Sequence, residues 1–224
     1  MPRGDVRIAP SVLSVDLLRI QEQVTAVVEG GADWIHVDVM DGRFVPNLTF
    51  GAAMIAAIRR VTELPIDVHL MVEQPEQFID PFAAAGASVF TFHPEATRHV
   101  QRHLESVRRR GMLAGLALNP GSPLAYAEEV VGDLDLLLVM TVNPGFPAQQ
   151  FIAASIGKIS RARQMLAERG GGVYLEVDGG VTLDTIAAIH AAGADTFVAG
   201  SAVFATDDPG RQVQELRKRC YPVA

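Results

Sequence analysis

The chain has 224 residues, 49 % of them hydrophobic, and a net charge of −7. The length suits one domain with a large core, the negative balance excludes a nucleic-acid surface, and no apolar run approaches the ~20 residues of a membrane span. Cys220 is the single cysteine and Met1-Pro2-Arg3-Gly4-Asp5 holds no secretory apolar segment, so the reading is a reduced, cytoplasmic protein.

Short β-branched runs alternate with helix-period segments from end to end. Strands are predicted at 7–10, 34–39, 66–70, 88–92, 112–118, 136–140, 173–177 and 196–199. Helices are predicted at 16–29, 52–61, 76–85, 97–110, 124–131, 153–169, 183–192 and 210–219. The first helix takes Ser14 as its N-cap and places Leu17, Ile20, Val24 and Val27 on one face. Gly31-Ala32-Asp33, Gly86-Ala87-Ser88 and Gly193-Ala194-Asp195 each stand between a helix and the next strand, where glycine fits the left-handed position past a helix end. The recurrence points to one repeated βα unit. Arg108, Arg109 and Arg110 read as a cationic last turn facing the helix dipole. No linker or low-complexity stretch divides the chain. Eight parallel units then favour an α/β fold of the closed (β/α)8 kind, a TIM barrel over residues 1–224, above an open doubly wound sheet.

Active sites of such barrels lie at the C-terminal strand ends. His36 and Asp38, two apart, point the same way into the barrel mouth, and His69 and Asp178 come to the same rim from the third and seventh strands. Two imidazoles with two carboxylates suit Zn²⁺ first, with Fe²⁺, Mn²⁺ and Co²⁺ as its neighbours. Asp67 and Glu176 share parity with His69 and Asp178 one inward position deeper, as orienters of those ligands. His93 follows the fourth strand and reads as a lip residue or as another partner behind the ligands, with no chemistry assigned to it. Met40, Met71 and Met140 form an apolar collar that excludes water. Glycine turns at Gly179-Gly180, Gly200-Ser201 and within Asn143-Pro144-Gly145-Phe146-Pro147-Ala148 offer backbone N–H groups to a phosphate. Lys158 and Lys218, the only lysines, fall in predicted outer helices, which removes Schiff-base chemistry at the rim.

These residues resemble the ribulose-phosphate 3-epimerase family over almost the whole chain. The likeness rests on Ile8-Ala9-Pro10-Ser11-Val12-Leu13-Ser14, His36-Val37-Asp38-Val39-Met40-Asp41-Gly42, Phe44-Val45-Pro46-Asn47, Asp67-Val68-His69-Leu70-Met71, Asn143-Pro144-Gly145-Phe146, Glu176-Val177-Asp178-Gly179-Gly180 and Ala199-Gly200-Ser201-Ala202. The resemblance implies a barrel of the ribulose-phosphate-binding type and one divalent metal on His36, Asp38, His69 and Asp178. It implies Asp38 and Asp178 as the catalytic acid/base pair, and Ser11, His69 and Asp178 in contact with substrate. Phosphate falls to Gly179, Gly180, Gly200, Ser201 and the loop of Gly145, Phe146, Pro147 and Ala148. The implied reaction interconverts D-ribulose 5-phosphate and D-xylulose 5-phosphate by metal-assisted removal and return of the C3 proton through an enediolate, in the pentose phosphate pathway or Calvin cycle. The implied partner is a small phosphorylated ketose, and the implied assembly a homo-oligomer. Where the family continues with Gly-Gly, this chain has Pro147-Ala148, and proline donates no N–H. Three rivals stand beside this reading: allulose-6-phosphate 3-epimerase, a metal-dependent hydrolase or lyase, and a non-catalytic sugar-phosphate-binding barrel.

Overall fold

The computed structural model describes residues 5–169 and 172–221, so residues 1–4 of the N-terminal stretch lie outside it. Strands β1 (Arg7–Pro10), β2 (Ile35–Met40), β3 (Ile66–Met71), β4 (Val89–Phe92), β5 (Leu113–Leu118), β6 (Leu136–Met140), β7 (Tyr174–Asp178) and β8 (Thr196–Ala199) pair in parallel in the order β1-β8-β7-β6-β5-β4-β3-β2. A single parallel bridge, Ser11 to His36, brings the free edges of β1 and β2 together and makes the sheet a nearly closed barrel. Around it run α1 (Ile20–Glu29), α2 (Ala52–Arg59), α3 (Ile79–Ala85), α4 (Val100–Arg109), α5 (Ala125–Glu128), α6 (Ser155–Glu168), α7 (Ile186–Ala191), α8 (Ser201–Phe204) and α9 (Pro209–Cys220). Among the described residues no helix is long and apolar enough to cross a membrane.

The strands sort their side chains by alternation. Ile35, Val37 and Val39 of β2, Ile66, Val68 and Leu70 of β3, and Leu175 and Val177 of β7 belong to the large core beneath the helices. Their alternates face the barrel interior, where Ala9, Trp34, Val89, Leu136, Leu138, Met140 and Val198 form a second apolar cluster. Each such side chain removed from water contributes roughly 1.5–3 kcal/mol against chain entropy. The polar set of β2, β3 and β7 therefore has one direction left, inward.

The αβ joints share a device at the barrel floor. Asp33 accepts from the Ile8 N–H at 2.8 Å, Ser88 Oγ from Ile66 at 3.2 Å, Asp135 from Ala114 at 3.0 Å and Asp195 from Leu175 at 3.1 Å. Each acceptor stands just before an even-numbered strand and holds an N–H near the start of the odd-numbered strand beside it. An arginine from an outer helix steadies each: Arg217 at 2.6 Å from Asp33, Arg59 at 3.3 Å from Ser88, Arg108 at 3.5 Å from Asp135 and Arg163 at 2.6 Å from Asp195. The repeated Gly-Ala-Asp/Ser signature marks three of these joints, and Gly31, Gly86 and Gly193 have φ of +87°, +98° and +111°. The fourth, at Asp135, has Asp133 where the others have glycine two residues ahead, and it left no mark in the pattern.

Some expectations need correction. Ser14 is not the N-cap of the first helix: two 3₁₀ turns, Val12–Ser14 and Leu17–Arg19, precede α1, and Asp16 caps the second by accepting from the Leu18 N–H. The three-residue period of those turns rotates Leu17 away from the helical stripe, and it is 56 % exposed, whereas Val24 and Val27 are buried. The turn after β8 does precede a helix, though the first one it meets is the short α8 with Gly200 as its N-cap, ahead of the helix predicted at 210–219. Lys158 does lie on an outer helix but turns inward, donating to the Asn119 carbonyl at 2.5 Å. Arg108 and Arg109 do close α4 as its basic last turn, and Cys220 is a free, buried thiol that burial pushes up to about 11.

Candidate active site

Register assembles the polar cluster. In the parallel pairing of β2 with β3, His36 lies opposite Asp67 and Asp38 opposite His69. On β7, Glu176 and Asp178 follow the same inward parity. One ligand atom from each of His36, Asp38, His69 and Asp178 lies within 4.8 Å of the others. His69 Nδ1 stands 3.1 Å from Asp38 Oδ1 and 3.9 Å from Asp178 Oδ2, and His36 Nε2 stands 3.3 Å from Asp38 Oδ1. Both imidazoles are wholly buried, whereas the Asp178 side chain keeps 17 % exposure.

Asp67 approaches the far nitrogen of His36, Nδ1, at 2.5 Å, and Glu176 lies 3.9 Å from the same atom. A carboxylate there attracts the Nδ1 proton, so Nε2 is the nitrogen that would serve a cation as a lone pair. The other ring is backed differently: His69 Nε2 lies 2.8 Å from His93 Nε2. Sequence reasoning offered His93 as a lip residue or as a partner behind the ligands and did not choose, because nothing in a single chain position tells which strand end a histidine leans toward.

Burial and charge divide the carboxyls. Burial raises Asp38, but His36 and His69 outweigh it and hold its carboxyl far below the ordinary range. Burial and then the Asp38 charge push Asp178 up to about 6, with the histidines opposing. Burial and then Asp67 push Glu176 well above the usual carboxylate range. His36 loses basicity to burial and regains more from Asp67 and Asp38, ending well above its ordinary value. Among the described residues no lysine or arginine forms an ion pair with these four carboxyls. The cluster's chemistry fits a divalent cation, which supplies the missing positive charge and finds two nitrogen and two oxygen donors.

A cavity of about 220 Å³ opens above the cluster. Asp38 and Asp178 line it, and the two histidines lie beneath them, out of its lining. Ser11 lines it too and donates its hydroxyl to Asp38 Oδ2 at 2.7 Å. The collar methionines all reach the cavity. Met40 and Met71 pack with Val45, while Met140 belongs to the interior cluster across from them. The three glycine turns converge on one side of the same cavity, with Gly145, Phe146, Pro147, Ala148, Gly179, Gly180, Gly200 and Ser201 all in its wall. A side chain at Gly180 would strike the Phe151 backbone at 2.6 Å, so only glycine lets this turn pass so close. Ser14, read from the sequence as a helix cap, and Thr182, which sequence reasoning did not single out, also line the cavity. An added Cβ at Gly200 would meet Ser14 Oγ at 2.7 Å, which places Ser14 against the β8 turn rather than on a helix cap.

The loop after β6 keeps a tight path despite Pro147. Ala148 takes φ +57° and Gly145 φ +123°. Gln149 Nε2 donates back to the Asn143 and Phe146 carbonyls at 2.6 and 2.9 Å and closes the loop on itself. Pro147 is exposed at the cavity wall.

Known proteins resemble this chain over most of its length. Residues 7–204 match the model of the ribulose-phosphate 3 epimerase family. The chain is 51 % identical over 207 residues to ribulose-phosphate 3-epimerase 1 of Cupriavidus necator, covering 91 % of this chain and 86 % of that protein. It is 45 % identical to ribulose-phosphate 3-epimerase of Bacillus subtilis, with 95 % and 98 % covered, and 46 % identical to that of Escherichia coli K12, with 97 % of each covered. Among solved structures, a 3-hexulose-6-phosphate synthase superposes with a TM-score of 0.71 at 21 % identity, covering 96 % of this chain and 99 % of that one. An orotidine 5'-phosphate decarboxylase from Pyrococcus horikoshii gives 0.72 at 16 %, covering 96 % and 100 %. At those identities the likeness is one of fold.

Proposed function

The chain belongs to the ribulose-phosphate 3-epimerase family, and on that premise we propose that residues 1–224 act as one catalytic domain that inverts C3 of D-ribulose 5-phosphate to give D-xylulose 5-phosphate. Its enzymatic class is accordingly that of an isomerase acting on carbohydrates. The supporting observation is a pair of carboxyls, Asp38 and Asp178, that line one cavity from two strands and are shifted in opposite directions.

A C3 proton next to a carbonyl is weakly acidic, and two proton carriers on opposite faces suffice to invert the centre without redox chemistry. Asp38, held ionised by the imidazoles behind it, accepts the proton from one face. Asp178, reaching the same cavity from β7, delivers one to the other face and resets by accepting in the reverse direction. His36, Asp38, His69 and Asp178 would hold the divalent cation, Zn²⁺ first among the candidates. When bound, the cation supplies Lewis-acid charge beside the carbonyl and so lowers the cost of the negative charge that develops on proton removal. Ser11 fixes the Asp38 carboxylate through its hydroxyl. Met40, Met71 and Met140 keep water from the reacting carbon. The backbone N–H groups around Gly179-Gly180 and Gly200-Ser201 take the phosphate, with the Gly145–Ala148 turn closing over it. The cellular setting that fits this reading is the cytoplasm, in pentose phosphate or Calvin-cycle metabolism, and the assembly a homo-oligomer.

The test is a paired assay with ribulose 5-phosphate and allulose 6-phosphate in deuterated water. Epimerisation of the pentulose with deuterium entering at C3, and slow turnover of the hexulose, is the expected result. A faster hexulose reaction sinks the substrate assignment, and inversion without deuterium uptake from solvent sinks the two-carboxyl route.

A further inference from the structure

We infer that His93 is the positioning residue for His69: through the Nε2–Nε2 contact it decides which nitrogen of His69 is bare toward the cluster. The inference rests on the cation reading above and deepens it.

The geometry is specific. His69 and His93 are both wholly buried, their ring centroids are 5.0 Å apart, and their Nε2 atoms are 2.8 Å apart. A contact that short between two ring nitrogens needs one proton between them, so one ring donates and the other accepts. The other nitrogen of His69, Nδ1, is the one that faces Asp38 and Asp178. A cation can use that nitrogen only as a lone pair. His69 must then carry its proton on Nε2 and donate it to His93, and His93 must be a neutral ring with its own proton on Nδ1. In the alternative arrangement His93 donates, His69 carries its proton on Nδ1, and that proton points at Asp38 where the cation would sit. Each arrangement keeps one proton on each ring, so the exchange between them changes no net charge.

What favours the first arrangement lies on the far side of His93. Its Nδ1 is buried, has no hydrogen-bond partner within reach, and faces Glu95 Oε2 at 3.8 Å. Glu95 is tied in place from the loop after β5, accepting from Asn119 Nδ2 at 3.2 Å and from the Ser122 hydroxyl. A carboxylate there attracts an N–H on His93 Nδ1 and repels a lone pair. The Phe44 ring lies 4.8 Å from that of His93, tilted by 38°, and Phe44 is itself held by Asp41, whose carboxylate accepts from the Arg43, Phe44 and Glu73 N–H groups. His36 is thus oriented by a carboxylate directly, and His69 by a carboxylate acting through a second imidazole.

The experiment is a Zn²⁺ competition titration of wild type, His93→Phe, His93→Gln and Glu95→Gln, together with ¹⁵N spectra of the histidine rings in the metal-free and Zn²⁺-loaded protein. Phenylalanine keeps the ring against Phe44 but accepts no hydrogen bond, so Zn²⁺ affinity should fall about 10- to 100-fold. Glutamine offers an amide oxygen in the same place and should restore most of it, and Glu95→Gln should lose less than His93→Phe. Loaded wild type should show His69 protonated on Nε2 and His93 on Nδ1. Wild-type affinity in His93→Phe, or a loaded spectrum with His93 protonated on Nε2, overturns the inference while leaving the cation site standing. Absence of Zn²⁺ binding by wild type overturns both. If His93→Phe does not fold, the ring spectra and the glutamine variants decide alone.

Discussion

The two ends of the barrel use the same residue types to opposite effect. At the floor, Asp33, Asp135 and Asp195 each cap a strand and each meet an arginine. Positive and negative charge balance there pair by pair, and the backbone takes the remaining lone pairs. At the mouth, Asp38, Asp67, Glu176 and Asp178 gather around two imidazoles with no lysine or arginine to pair with them among the described residues. Burying like charges together raises some carboxyls and costs stability. The floor is arranged for folding, whereas the mouth stores an electrostatic imbalance that a cation and a proton-transfer step can use.

That contrast breaks most readily at the cation. Stripping divalent metal should abolish epimerisation while leaving the barrel folded, as measured by turnover and circular dichroism on the same sample. Full activity in a verified metal-free preparation would falsify the reading of the mouth as a metal centre. Next in size, Asp178→Asn should lower turnover by at least ~10² while thermal stability of the metal-free protein holds or rises, because one repelling charge is gone. Near-normal turnover at unchanged metal content excludes Asp178 as a proton carrier.

The floor should respond in the reverse sense. Asp195→Ala strands the Leu175 N–H and the Arg163 guanidinium, and should cost about 3 kcal/mol of stability with little change in kcat for the folded enzyme. A denaturant midpoint equal to wild type would remove the floor pairs from the account of folding. A pH series sharpens the same contrast. Asp178 is raised from 3.8 to about 6 in the folded metal-free protein, so the folded state binds more protons than the unfolded one between those values. Its contribution to stability is therefore present below pH 3.8 and is lost as pH rises through about 6. The difference between wild type and Asp178→Asn in metal-free urea titrations should show that fall, and a rise over the same window would reverse the assignment.

The smallest effect belongs to the loop after β6. Pro147→Gly restores a donor N–H beside the phosphate turns, and KM should fall by roughly tenfold, the low end of what one hydrogen bond to a charged group contributes. An unchanged KM means that residue 147, exposed as it is, never faces the phosphate. Ala148→Gly relaxes a left-handed φ and should stabilise the loop without altering KM.

Much of this was written into the chain itself. Period-two alternation is a local property, so the inward parity of His36, Asp38, His69, Glu176 and Asp178 was legible without coordinates. The Gly-Ala-Asp/Ser joints were legible for the same reason, since a left-handed residue past a helix end needs glycine wherever the chain goes next. What depended on distance along the chain was not. Asp135 performs the floor device without the glycine that announced the others. Ser14 looked like a helix cap because its neighbours are helical in period, yet two 3₁₀ turns intervene and carry it to the turn after β8. Above all, His93 is 24 positions from His69, and no spacing rule joins them. The pair meets because β3 and β4 lie side by side in register, His69 opposite Thr91, with His93 just past the end of β4. Local sterics and burial determine which way each side chain points; only the closing of the barrel determines which side chains then share a proton.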